Sequence, residues 1–223
     1  FATILEELVA ELPALRLPEA PVKGAIARRM AAAIAPFRPA FLTPMAAVAG
    51  AVAEEVLAAL TGPGITRAYA NNGGDIALWL GAAERLTCVL AVSGGRDRVT
   101  VAADDPVRGI ATSGWRGRSF ALGIADAVTV LARTAAMADA AATMVANAAD
   151  LRHPGICRCP ARERQWDSDL GDRLVAGAAA LDAGLRAAEG FRARGLIEGA
   201  ALFLQGERRV TGALVLEKGN ASG

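Results

Sequence analysis

Histidine occurs once in this sequence of 223 residues, cysteine three times, and aromatic side chains make up only 4% of it. Each scarcity removes a class of chemistry. With His153 as the sole imidazole, Ser-His or Cys-His catalysis would have to be built on that residue, and no Gly-x-Ser-x-Gly nucleophile motif supports it. Three cysteines, an odd count in a chain this long, argue against a disulfide scaffold and for a reducing compartment. Few aromatics leave the core to Ala, Val and Leu, within a hydrophobic content of 53%. A surplus of either charge is missing as well. Lys and Arg number 24 against 23 Asp and Glu, a net charge of +1, so neither nucleic acid nor a membrane surface is expected as a partner. The locally basic set Arg192, Arg194, Arg208 and Arg209 reads as a solvated face. Long apolar runs are also absent: residues 45–60 and 125–149 are broken by Glu54, Glu55, Arg133 and Asp139 and do not span a bilayer. The chain opens on Phe1 and not on Met, so the lack of a signal-peptide pattern carries little weight, and the cysteine count makes cytoplasmic the expected location.

What is present is a succession of alanine-rich helices around a β-rich middle. Apolar periodicity predicts helices over 3–11 and 24–35. A third opens at Pro44, where a first-turn proline is tolerated, and is ended near residue 61 by Gly62-Pro63-Gly64. Strands are expected at 66–71, 76–80, 86–92, 99–103, 109–112 and 127–132, separated by turns such as Ser93-Gly94-Gly95. These connections are too short for parallel crossovers, so pairing should be antiparallel. A helix follows over 134–148, then an irregular connection over 153–171, a short strand at 174–176 and a helix over 181–194. A last hairpin is expected from strands 200–205 and 209–217, joined at Gly206. The expectation is one α+β domain over 1–223, a mostly antiparallel sheet flanked by alanine-rich helices.

The most informative stretch runs from Tyr69 to Gly81. A strand enters Asn71-Asn72-Gly73-Gly74-Asp75 and resumes as alternating apolar residues, so Gly73 and Gly74 are expected to supply positive φ in a tight turn. Asn71, Asn72 and Asp75 are more polar groups than a hairpin needs, which makes the turn a binding-loop candidate. Asp139 and Thr143 are four apart on an otherwise apolar helix and share a face. Their oxygens suit Mg²⁺ or Ca²⁺ better than zinc; the structural alternative is an exposed Asp139 and a Thr143 bonded back to its own helix. The segment from Gly109 to Gly114, with Arg116 and Arg118 beyond it, reads as an ordinary turn or a phosphate cradle, although it lacks the Walker A and Rossmann patterns. His153, Cys157 and Cys159 lack a fourth zinc ligand nearby. The acidic run from Asp167 to Asp172 lacks EF-hand spacing and reads as a solvated turn or helix start.

Taken in order, Asn71-Asn72-Gly73-Gly74-Asp75-Ile76, Ala111-Thr112-Ser113-Gly114 and Ala138-Asp139-Ala140-Ala141-Ala142-Thr143 resemble the ApbE-like superfamily, which contains the FAD:protein FMN transferases. The likeness is greatest to a shorter, cytoplasmic branch and covers residues 43–147 and 167–171, with 44–54 resembling the earlier helix of the family. The resemblance implies an ApbE-like fold and a cation, Mg²⁺ or Ca²⁺, held by Asp139, Thr143 and the carbonyl of Ala49. It implies a flavin nucleotide, FAD or FMN, lined by Asn72, Gly73, Gly74 and Asp75 and by Thr112, Ser113 and Gly114. The chemistry it implies is attack by a protein threonine hydroxyl on phosphorus, with AMP leaving. Two departures bear on activity. Gly50-Ala51 stands where the family has Lys-Gly, and the segment 119–126 replaces a Ser-His-x-x-Asp-Pro pattern, with Arg116, Arg118 and Asp126 as the nearest electrostatic substitutes. The catalytic residue is therefore not assigned. The expected function is flavin-nucleotide binding with Mg²⁺, with or without transfer or hydrolysis. The alternative is a non-catalytic nucleotide-binding or partner protein of cytoplasmic cofactor or sulfur metabolism. Homo-oligomerisation is left open.

Overall fold

Helix periodicity is realised where the sequence predicts it. In the computed structural model, which describes residues 3–90, 97–116, 121–154, 156, 177–212, 214 and 216–218, helix α1 spans Ile4–Ala10, α2 Leu12–Leu15 and α3 Ala25–Ile34. A 3₁₀ turn, Pro44–Ala47, with its proline in the first positions, leads into α4, Val48–Leu60. Strands β1 (Arg67–Asn72), β2 (Asp75–Leu80), β3 (Arg85–Val89), β4 (Asp97–Ala102), β5 (Gly109–Ser113) and β6 (Ala127–Ala132) follow within a residue or three of expectation. Helix α5 spans Ala135–Ala148 and α6 Gly177–Ala193; β7 (Gly199–Leu204), β8 (Glu207–Gly212) and β9 (Glu217–Lys218) complete the described elements.

The strands form a six-stranded sheet in the order β1-β2-β5-β6-β7-β8 and a three-stranded sheet in the order β3-β4-β9. The pairs β1/β2, β2/β5, β4/β9 and β7/β8 are antiparallel, so the protein is α+β with a mostly antiparallel sheet. The last hairpin departs from expectation. Its second strand stops at Gly212 (φ +82°), and Leu214 is buried. Residues 217–218 then pair with β4 in the other sheet. The expected strand at 174–176, most of the 153–171 connection and the turn at 93–95 lie outside the described residues.

Contacts cluster the chain into two compact units, Phe1–Leu86 with Val101–Ala111 and Leu131–Ala141, and Thr87–Thr100 with Thr112–Val130 and Ala142–Gly223. In the first, α4 lies on β1 and β2: Ala53, Leu57, Ala70, Ala77 and Ala135 form a buried cluster flanked by Val56 and Ala68. Alanine lets helix and strand approach closely, which is how a chain poor in aromatics builds a dense core. Helix α3 turns Ile26, Met30 and Ile34 inward and packs on the 3₁₀ turn and α4. In the second unit α6 packs on β7 and β8, and every residue of β7 is buried.

Candidate functional site

The surplus polarity of the β1–β2 turn has three destinations. Register pairs Asn72 with Asp75, leaving Gly73 (φ +71°) and Gly74 (φ +114°) as the two-residue loop, both with the positive φ that the sequence predicts. Asn71 closes the turn by accepting the Gly74 amide on Oδ1 at 2.9 Å. Asn72 leaves the hairpin altogether, and its Nδ2 donates to the Ala49 carbonyl in α4 at 3.2 Å. Asp75 faces Asp139, whose electrostatics it enters as a repelling charge. Nothing lies within 4 Å of where a Gly74 side chain would begin, so the turn is open on that side.

Ala49 and Gly50 lie in the first turn of α4, where backbone amides have no intrahelical partner. Asp139 supplies one, accepting the Gly50 N–H on Oδ2 at 3.1 Å. Helix α5 can come this near because residue 50 has no side chain. A Cβ there would overlap the Ala135 carbonyl and lie 2.8 Å from the Ala136 nitrogen. The position at which the resembled family carries lysine is thus closed to any side chain in this fold.

Asp139 is half-buried as a residue, but its carboxyl group is largely dehydrated. Dehydration first, and the charge of Asp75 second, raise its pKa from 3.8 to about 8, against the lowering effect of the Gly50 and Ala49 amides. No lysine or arginine figures among these influences. Asp75, Asp139 and the Ala49 carbonyl therefore gather oxygen atoms within the first unit. Their donor chemistry is hard oxygen only, which fits Mg²⁺ or Ca²⁺. The Ala49 carbonyl serves the α4 backbone ladder and accepts from Asn72 as well, so a cation there would take the place of the exposed Asn72 bond. Thr143 is in α5, one turn beyond Asp139, and is half-buried. Among the described residues no group of three or more His, Cys, Asp or Glu is disposed to hold a metal, so a cation at Asp139 would draw on carbonyl and hydroxyl ligands as well.

Glu54, which the sequence shows only as a charge interrupting an apolar run, has a definite task. It accepts the Ala136 amide at 2.7 Å and pairs with Arg29 at 3.1 Å. Burial pushes its carboxyl up, in spite of the Ala136 amide and Arg29.

The Thr112-Ser113-Gly114 stretch belongs to the second unit. Thr112 Oγ1 lies 2.9 Å from Thr129 Oγ1, Ser113 is half-buried, and Gly114 packs against the Asp126 carbonyl. Asp126, 8% exposed, accepts Trp115 Nε1 at 3.1 Å and Arg116 Nε at 2.7 Å on Oδ1, and the Gln205 amide at 2.6 Å on Oδ2. The Arg116 guanidinium also lies over the Trp115 ring, 4.5 Å from its centroid. Arg116 and Asp126, two of the electrostatic substitutes named from sequence, are thus bonded to each other. Arg118, Cys157, Cys159 and the acidic run 167–172 lie outside the described residues. His153 is half-buried. A separate groove of about 580 Å³ in the first unit is lined by residues that include Glu84, Arg85 and Asp104 and by none of the residues predicted for the site.

A family profile described as AbpE bacteria matches residues 1–210. The chain belongs to this family. A UPF0280 protein from Methanococcoides burtonii is 33% identical to this AbpE bacteria member over 106 residues, 45% of the chain and 43% of that relative. The chain thus spans less than half the length of the curated relative it matches. Among the described residues of this AbpE bacteria member, no helix is long and apolar enough to cross a membrane.

Proposed function

We propose that the protein binds a flavin nucleotide, FAD or FMN, together with a hard divalent cation, Mg²⁺ or Ca²⁺, at Ala49, Asp139 and Thr143, with the Asn72 to Asp75 turn beside the nucleotide. The observation that supports this most is the confrontation of Asp75 and Asp139 beside the Ala49 carbonyl, where dehydration and like charge keep a proton on Asp139 that a divalent cation could displace. When bound, such a cation supplies charge neutralisation for a diphosphate. The chain's own residues do the rest. The Gly50 amide orients Asp139, Asn72 covers the Ala49 carbonyl until a cation takes its place, and the open side of Gly74 admits a ligand to the backbone. Thr112, Ser113, Gly114 and Thr143 enter the proposal through the ApbE-like resemblance, with which membership of the AbpE bacteria family is compatible.

Binding without transfer is the second reading, and two observations favour it. No lysine side chain fits at position 50, and Arg116 is engaged by Asp126. The test is incubation of the purified protein with FAD and Mg²⁺ while AMP and FMN are followed by chromatography. Product release that Asp139→Ala abolishes supports the enzyme. Mg²⁺-dependent FAD binding without product supports the binding protein. If saturating FAD and Mg²⁺ leave the melting temperature unchanged, both readings fail.

A further inference from the structure

The first turns of α4 and α5 cap each other. Asp139 of α5 takes the Gly50 amide of α4, and Glu54 of α4 takes the Ala136 amide of α5. Gly50 and Glu54 are four apart and share a face of α4, while Ala136 and Asp139 are three apart and share a face of α5. Between the two bonds the Gly50 backbone meets that of Ala135. Three contacts in a row therefore fix how these first turns meet. Thr134 Oγ1 accepts the Met137 amide at 3.2 Å, and Glu54 also meets the Thr134 hydroxyl and the Ala135 amide, so Glu54 holds the first turn of α5 at several points. Arg29 clamps Glu54 by Nε at 3.1 Å and reaches Glu55 at 3.0 Å and the Ala51 carbonyl at 3.1 Å through Nη1. Its charge is spent on the two glutamates of α4.

We propose that Glu54 is a positioning residue for the Asp139 carboxylate. It contacts neither cation nor nucleotide; by holding Ala136 it fixes the first turn of α5, and so keeps Asp139 at Gly50 and opposite Asp75. This rests on the cation reading above. Groups hydrogen-bonded directly to a metal ligand typically change affinity by about 10- to 100-fold, and Glu54, which acts through the α5 backbone, belongs at the lower end of that range.

The test is Mn²⁺ binding to the full chain, followed by electron paramagnetic resonance, with Mn²⁺ as the probe for Mg²⁺. E54A is expected to weaken binding by about tenfold. E54Q, whose amide oxygen still accepts the Ala136 N–H, is expected to restore most of the loss. E55A removes an Arg29 partner without touching α5 and is expected to bind like wild type. If E54A fails to fold, E54D replaces it, one methylene too short to reach Ala136, with the same expected loss. An E54A protein that melts earlier yet binds Mn²⁺ like wild type overturns the inference and leaves the cation reading standing. A wild-type protein that binds no Mn²⁺ overturns the cation reading, and the inference with it.

Discussion

Asp126 and Asp139 are both aspartates withdrawn from water, and their surroundings answer the charge in opposite ways. Around Asp126 stand an indole N–H, a guanidinium and a backbone amide, and Arg116 returns the full positive charge that burial of the carboxylate demands. Around Asp139 stand backbone amides and a second carboxylate. Amide dipoles orient a carboxylate without cancelling it, and Asp75 adds to the deficit. The first arrangement is complete and contributes to the fold. The second favours the protonated carboxyl, the state that a neighbouring cation would reverse. Burial alone would not have separated the two; the sign of the neighbouring charge does.

The comparison can be broken at either aspartate. Asp126→Ala strands Arg116, Trp115 and the Gln205 amide, and should cost on the order of 3 kcal/mol in urea-denaturation stability. A loss under about 1 kcal/mol would mean that water replaces the carboxylate and that Asp126 is not a structural hub. Gly50→Ala forces the first turns of α4 and α5 apart at the Ala135 carbonyl. Roughly 1–3 kcal/mol of stability should go, and with it the melting-temperature response to Mg²⁺.

Asp139→Asn should act with the other sign. The folded-state pKa of Asp139 lies above its unfolded value of 3.8, so between about pH 4 and about pH 8 the folded chain holds a proton that the unfolded chain has released. The stability from this group is present at about pH 4 and is lost as pH rises towards 8. Thermal melts across this range should show that decline in wild type, a shallower one in Asp139→Asn, and a shallower one in wild type with saturating Mg²⁺. At pH 8 without metal the variant should melt higher than wild type; a lower melting point would place Asp139 in the same class as Asp126. The smallest effect is expected at Asn72→Ala, which frees the Ala49 carbonyl from an exposed hydrogen bond and should cost about 0.5–1 kcal/mol by the same denaturation assay.

The elements were legible because their signals are local. Helical periods, the proline at position 44 and the Gly73-Gly74 pair place α4 and the β1–β2 turn almost to the residue. The Asn71 and Asn72 surplus was visible as well, although not its purpose, since one amide serves the turn and the other reaches another element. What sequence reading missed is long in range. Asp139 meets Gly50 across 89 residues and Glu54 meets Ala136 across 82, and no spacing rule joins positions so distant. Gly50 looked like a lost lysine, whereas its reason is steric and is visible only once the Ala135 backbone lies against it. Glu54 and Asp126 carry no motif. In an alanine-rich helix or at the end of a loop, one acid looks like another until its partners are in place.

The exchange of caps between α4 and α5 also bears on how the molecule opens. A helix whose first amides are held by its own flanking residues can fray by itself, but Gly50 and Ala136 each rely on a carboxylate carried by the other helix. Separation of the two helices releases both ends together. In native-state hydrogen exchange these two amides, far apart in the chain, should therefore share one opening free energy, and saturating Mg²⁺ should slow both by the same factor.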